Sequence, residues 1–311
     1  MTDEVRASVV IAAYNVERYV EMAVRSALAS DLHEIEVIVV DDGSKDRTPQ
    51  IVSNIGDPRV VLVRLRPSGG PSRPRNVGIA RARAPYVAFL DADDLMKPDK
   101  LSATVAALDR RPDAGFAFAD FERIGADGRV IEQSVLTGYP VFRRLATVPI
   151  EHDWYLIPQA ELARGLLYEN FIGTCGVVVR KDVLTEIGPF DDSLACSEDR
   201  DLWFRLGHRC AALYWDHIGF SYRMNPVSVS HGPGVRNARN RIIVLRRERD
   251  RWTDRAARRQ LNGLIAENMA AIGYERRLQR RRLGSVAMFA QAFATSPDVR
   301  WLKALLGSLV S

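Results

Sequence analysis

Several polar clusters in this chain have the residue types and spacing for chemistry. Asp91-Ala-Asp-Asp94 closes a mostly apolar run. Carboxylates two residues apart in an extended turn converge on a hard divalent cation, which takes oxygen ligands; the same acids also suit the cap of a following helix. Asp41-Asp42-Gly43-Ser44 is either a tight strand-to-helix turn or a carboxylate placed to bond a nucleobase imide and a ribose hydroxyl. Arg75, beside Asn76, is either a solvated helix-start arginine or a group that neutralises a diphosphate or orients a base. Ser197-Glu198-Asp199 opens a helical stretch. Serine at the cap with acids in the first turn is ordinary helix chemistry. It also works against a general base, whose pKa a helix N-terminus lowers. His231 reads as a third metal ligand or a structural histidine, and Trp203 as a core residue or a sugar platform. No Cys/His cluster competes for a metal, so Mg²⁺ or Mn²⁺ is the ion expected.

These clusters need elements to hold them. Ser8–Ala13 reads as a buried strand, and Val20, Ala23, Val24, Ala27 and Leu28 as the stripe of an amphipathic helix with Asn15 as its N-cap. Ile35–Val40 is a second strand, and Thr48-Pro49 opens a short helix. Val60–Arg64, Tyr86–Leu90 and Gly115–Ala119 continue the strands, with helices over 75–83 and 98–110 between them. Such strand–helix alternation means a mostly parallel sheet covered on both faces. The polar clusters then fall at the carboxyl ends of its strands, where open α/β sheets bind ligands.

Beyond residue 120 the alternation weakens. Asp127-Gly128 marks a hairpin turn between 121–124 and 129–133. Residues 137–172 show no period, and order returns at 176–180, 198–206, 211–215 and 220–224.

The 311 residues, 47% hydrophobic and 27% charged, make an ordinary globular chain rather than a disordered one. Three cysteines, Cys175, Cys196 and Cys210, form no C-x-x-C pair, which suits a reducing compartment. The acidic Met1-Thr2-Asp3-Glu4 start does not read as a signal peptide. The net charge of +5 is unevenly spread: residues 236–283 hold fifteen arginines and five acids. A basic segment on a mildly acidic body favours contact with an anionic surface over a nucleic-acid-binding core. Val299, Leu302, Leu305, Leu306 and Leu309 add an apolar stripe at helical spacing, with Trp301 suited to an interface. Two readings stand side by side: contact with an anionic membrane surface, or packing against the catalytic domain or a second subunit.

Taken together, the motifs resemble the family-2 glycosyltransferases of the GT-A fold. The matching segments are Ser8–Asn15, Val40–Ser44, Gly70–Gly78, Asp91–Asp94 and Glu198–Leu206, in the family's order, over roughly residues 7–232. The resemblance implies a Rossmann-like α/β catalytic domain over 1–234. Its nucleotide-sugar half is 1–120 and its acceptor half 121–234; beyond the resemblance, the arginine-rich residues 235–311 read as a basic helical extension. It implies inverting, metal-dependent sugar transfer from a nucleotide diphosphate, with a lean to uridine, to a saccharide or lipid-linked acceptor in bacterial-type polysaccharide or glycoconjugate assembly. Carried over by position, Ala13, Tyr14 and Asp42 hold the nucleoside with Arg75 beside them. Asp91 contacts ribose or metal, Asp93 ligates the metal and Asp199 is the catalytic base. Arg223 and His231 match a diphosphate- and metal-contacting region, and Glu198 and Trp203 are acceptor-side candidates. Ala12 stands where the family usually has proline, and Pro74 where it usually has alanine. The expected location is cytoplasmic, peripheral on the inner face of the membrane.

Other classes have their own marks. A sugar-1-phosphate nucleotidylyltransferase would carry a glycine-rich basic loop where Tyr14-Asn15-Val16-Glu17 stands. A dehydrogenase needs G-x-G-x-x-G and a P-loop enzyme G-x-x-x-x-G-K-[ST]; neither motif occurs. An inactive nucleotide-sugar-binding scaffold would have no use for Asp91, Asp93 and Asp199 together.

Overall fold

The computed structural model describes residues 4–224 and 234–310. The chain divides into two compact units, one of Met1–Asp192 with Leu202–Pro226, the other of Ser193–Asp201 with Val227–Ser311. Residues 193–201 thus group with the C-terminal helices.

The first unit is built on an eleven-stranded sheet. Strands β1 (Ala7–Ala13), β2 (Ile35–Asp41), β3 (Val60–Arg64) and β4 (Tyr86–Asp91) pair in parallel in the order β3-β2-β1-β4. Every residue of β2 and all but one of β1 are buried, in keeping with the Val and Ile at their centres. Helices α1 (Val20–Leu28), α2 (Thr48–Ser53) and α3 (Ser72–Arg81) make the crossovers. α3 comes so close to β1 that a Cβ on Gly78 would lie 2.3 Å from Val10 Cγ1. It begins at Ser72, three residues before the expected start, with Pro74 in its first turn, where no backbone N–H is required.

The rest of the sheet is mixed rather than mostly parallel. β5 (Leu95–Met96) and helix α4 (Lys100–Arg110) lead to the long β6 (Ala114–Ile124). β10 (Val178–Arg180) lies antiparallel between β4 and β6. β7 (Val130–Glu132) folds back on β6 through the Asp127-Gly128 turn, with Gly128 at φ 83°. The aperiodic region resolves into two 3₁₀ turns, then β8 (Val148–Glu151), β9 (Trp154–Ile157) and helix α5 (Gln159–Tyr168), pieces too short to show a period. After α6 (Lys181–Ile187) and α7 (Glu198–Arg209), the runs at 211–215 and 220–224 prove to be one strand, β11 (Ala211–Arg223). It bulges around Ile218, and that irregularity breaks its pattern in the sequence.

The second unit contains four helices after the first turn of α7: α8 (Val235–Arg251), α9 (Arg255–Leu278), α10 (Arg282–Thr295) and α11 (Val299–Val310). Asp254 caps α9, its carboxylate accepting from the N–H groups of Ala256 and Ala257. Leu261, Ile265, Ala266, Phe289 and Ala292 form the helical core. Among the described residues, no helix is long and apolar enough to cross a membrane. Trp301, expected at an interface, is 7% exposed and turned into the helical unit with Ala304 and Ser308.

Candidate active site

The loops after β1 and β2 brace one another. Asn15, in the left-handed region at φ 51°, donates its N–H to Ser44 Oγ at 2.9 Å and accepts from Lys45 N–H at 2.8 Å. Asn15 is therefore not the cap of α1, whose N-cap is Tyr19; its carboxamide is used across the loops instead. Asp42 N–H donates to Ala13 carbonyl at 2.8 Å, which brings two of the nucleoside candidates together. Tyr14 stands half-exposed beside them. Gly43 sits at φ 77°, and a Cβ there would meet Pro67 Cδ at 2.5 Å, so glycine alone fits this turn.

Asp42 is buried, and Ser68 engages its carboxylate: the Ser68 N–H lies 3.0 Å from both oxygens and the hydroxyl 2.9 Å from Oδ2. A ligand hydrogen bond to Asp42 thus shares this carboxylate with Ser68. The preceding Asp41 belongs to β2; its Oδ1 accepts from Ser44 N–H at 3.2 Å.

Arg75 and Asp91 meet directly. Arg75, 5% exposed in the first turns of α3, donates from Nη2 to Asp91 Oδ1 at 2.7 Å and stacks over Phe190, 5.2 Å from its centroid. Asp91 ends β4, where strand pairing stops and side chains reach the sheet edge. The Asp94 N–H returns to Asp91 carbonyl at 3.1 Å and closes the acidic turn.

Asp94 is the member of that turn that sequence reasoning passed over. It is 1% exposed, and its Oδ2 accepts from the Cys175 thiol at 3.1 Å while Oδ1 accepts from Arg223 N–H at 2.8 Å. Burial, reinforced by Asp91 and Asp93, pushes its carboxyl well above the usual carboxylate range. Cys175 also accepts from Asp91 N–H at 3.1 Å, and burial pushes its thiol well up. Beneath them the fully buried Lys100 donates from Nζ to the Cys175 carbonyl, and burial draws its pKa down to about 8. Cys175 lies more than eighty residues from the turn it supports, so no local pattern marks it.

Arg223 does not offer its guanidinium to an open donor site as expected. It is 3% exposed, with Nε donating to Asp93 carbonyl at 2.9 Å and Nη1 to the carbonyls of Gly125 and Ala126 at 3.2 and 3.3 Å. It supports the acidic turn from behind.

Asp91, Asp94 and Cys175 carry ligand atoms within 4.8 Å of one another. Cys175 and Asp94 do not fit a hard cation, since both are fully buried and hydrogen-bonded to each other. Asp91 and the half-buried Asp93 do fit one: they are oxygen donors at the strand end, the set that Mg²⁺ or Mn²⁺ takes. His231 lies outside the described residues.

Asp199 belongs to the second unit, half-buried in the first turn of α7. Helix α8 holds that segment. With its amide oriented to satisfy both groups, Asn240 accepts from the N–H of Ala195 at 2.9 Å and of Cys196 at 3.2 Å. Arg247 Nη1 lies 3.7 Å from Asp201 Oδ1. Burial draws Arg200 down to about 10, against the opposing pull of Asp199 and Glu248. Glu248, fully buried, accepts from Trp252 Nε1 at 2.6 Å. Trp203 is 0% exposed and is core, presenting no face for a sugar, and Glu198 is 7% exposed.

A nine-strand path with acids gathered at its carboxyl edge, followed by helices, is the architecture of GT-A glycosyltransferases. The chain matches Glycosyl transferase family 2 over residues 8–187, and it belongs to that family. The succinoglycan biosynthesis protein ExoO of Rhizobium meliloti (strain 1021) is 42% identical over 227 residues, 71% of this chain and 61% of ExoO. An uncharacterized glycosyltransferase of Rickettsia prowazekii (strain Madrid E) is 30% identical over 211 residues, 68% of this chain and 61% of the relative. The chain spans about three fifths of the length of these curated relatives. Among solved structures, S. aureus TarS 1-349 in complex with UDP-GlcNAc aligns with a TM-score of 0.66 at 21% identity, over 94% of this chain and 82% of that one. The complex of TarS 1-349 with UDP gives 0.64 at 20% identity, over 94% and 81%. These two likenesses are of fold.

Proposed function

We propose that this chain transfers a sugar from a uridine diphosphate sugar to an acceptor hydroxyl with inversion, in polysaccharide or glycoconjugate assembly. The observation that carries the reading is the Arg75–Asp91 pair, set at the end of β4 beside the braced loops after β1 and β2. That edge offers an arginine, carboxylates and main-chain groups, the chemistry a nucleoside diphosphate needs. The UDP and UDP-GlcNAc complexes of TarS support uridine, and ExoO supports polysaccharide assembly.

Ala13, Tyr14 and Asp42 take the nucleoside, and Arg75 neutralises diphosphate charge. Asp93 and Asp91 would hold Mn²⁺ or Mg²⁺, and the resemblance adds His231 as a third candidate ligand. When bound, the cation offsets the negative charge that develops on the departing nucleotide diphosphate. Asp199 takes the proton of the acceptor hydroxyl as its oxygen bonds to the anomeric carbon. The bond from that carbon to the diphosphate breaks on the opposite side, and the nucleotide diphosphate leaves with the electron pair. No enzyme nucleophile is involved, so the anomeric configuration inverts. The basic helices hold the protein peripherally on an anionic, inner-face membrane, where a lipid-linked saccharide would be met.

The test is a panel of UDP-, GDP- and dTDP-sugars screened by thermal shift with Mn²⁺, followed by donor hydrolysis. Stabilisation and slow hydrolysis of a UDP-sugar are expected. No stabilisation by any nucleotide or nucleotide sugar would overturn the reading.

A further inference from the structure

We propose that the turn between α9 and α10 is the docking element for an anionic lipid bilayer, with Leu278 and Leu283 entering the lipid. This rests on the peripheral-membrane reading above and names the residues that would make the contact. The segment 276–283 reads Arg-Arg-Leu-Gln-Arg-Arg-Arg-Leu, five arginines and no acid. Leu278 and Leu283 are 86% and 88% exposed, the most exposed large apolar side chains described. One is the last residue of α9 and the other the second of α10.

The turn between them is tight. Arg280 takes the left-handed conformation at φ 59°, Arg280 N–H donates to Arg277 carbonyl at 2.9 Å, and Arg281 N–H to Arg276 carbonyl at 2.8 Å. Arg276 Nη1 reaches across to the Gly284 carbonyl at 3.1 Å. Two leucines are therefore fixed on the two arms of one short, basic turn.

The same end of the helical unit carries more apolar surface. Ser285 and Ser308 hydroxyls lie 3.2 Å apart, and Arg277 Nη1 lies 3.4 Å from where a Cβ on Gly307 would stand. The C-terminal half of α11 is thus beside the turn. On α11, Trp301, Ala304 and Ser308 face inward, and Val299, Leu302, Leu306 and Leu309 are exposed at helical spacing. This stripe runs up to the arginines.

Charge complementarity selects the occupant. A second copy laid symmetrically on this end would set five arginines against five. A nucleic acid would satisfy the arginines and leave the leucines in water. An anionic bilayer satisfies both, with headgroups for the arginines and acyl chains for the leucines.

The experiment uses the full chain and sedimentation with phosphatidylcholine vesicles, with or without about a third phosphatidylglycerol, at low and high salt. Wild type should bind the anionic vesicles in a salt-sensitive way and leave the neutral ones free. The double variant Leu278→Ser/Leu283→Ser should bind about tenfold or more weakly, with an unchanged unfolding midpoint because both side chains are already in water. Arg280→Gln/Arg281→Gln should lose the salt dependence in part. If wild type binds and the leucine variant binds equally, the docking element is wrong and peripheral attachment survives. If wild type fails to bind anionic vesicles, both fall. Binding to a DNA duplex that matches vesicle binding and ignores the leucine change would assign the turn to polyanions and overturn the lipid proposal.

Discussion

Cys175 and Asp94, eighty-one residues apart in sequence, share a buried hydrogen bond of 3.1 Å between thiol and carboxylate oxygen. Through it the strand-end acidic turn is fastened to the 3₁₀ turn at Thr174–Gly176. Cys175→Ala leaves a buried acceptor short of a donor and should cost about 1–3 kcal/mol in urea unfolding. Cys175→Ser keeps a donor and should recover part of that loss. Since the thiol fastens the turn and does not ligate, Mn²⁺ affinity in the presence of UDP should stay within about twofold in Cys175→Ser. A large loss of cation affinity in that variant would make Cys175 a ligand.

We propose Asp93 as a ligand of the cation. Asp93→Ala should remove most Mn²⁺-dependent UDP binding and turnover while leaving the fold intact, because the half-buried carboxylate is not part of the core. Calorimetry that returns unchanged UDP–Mn²⁺ affinity would sink the assignment.

We propose Asp199 for chemistry, not for donor binding. Asp199→Asn is nearly isosteric, so folding and nucleotide affinity should hold, the latter within a few-fold. Meanwhile kcat should fall by roughly 10² or more, the scale of losing a general base. Normal turnover would leave Asp199 as a first-turn helix acid and nothing more.

Lys100 gives the protein an alkaline signature. Burial lowers its pKa from 10.5 to about 8. Between those values the unfolded chain holds a proton that the folded chain lacks, so this residue's contribution to stability rises as pH rises through the window. Below about pH 8 the penalty of the buried charge is constant. Lys100→Met removes the titration, so wild type should gain on the variant in urea unfolding between pH 8 and 10.5. A difference that stays flat over that range would contradict the lowered pKa.

The parallel half of the fold is legible in the sequence because β1, β2 and β4 are buried nearly throughout and α1 carries a clean apolar stripe. Register and direction are less so. Nothing in Val178–Arg180 tells that the strand runs against its neighbours, and the bulge at Ile218 hides the length of β11. Asp42, Arg75, Asp91 and Asp93 are singled out as candidates by their places after strands, and Arg75 and Asp91 meet in the fold. Asp94, Cys175 and Lys100 act through burial and long-range hydrogen bonds, which spacing does not reveal. Ser68 carried a faint signal as the residue before Gly69-Gly70, a loop able to bring a backbone N–H to a carboxylate. Trp203 shows the converse: an aromatic beside candidate acids in sequence whose helical phase turns it fully into the core.

Segment 193–201 belongs to the same compact unit as α8–α11, tied there by Asn240 and Arg247. A chimera spliced at residue 234 would pair one parent's Asp199 segment with another parent's α8, with no guarantee of an Asn or Arg at those two positions. A graft that exchanges 193–201 together with the helices keeps the block whole. Recombination between relatives should therefore be tolerated better when that nine-residue strip is inherited along with the helices than when it is left behind.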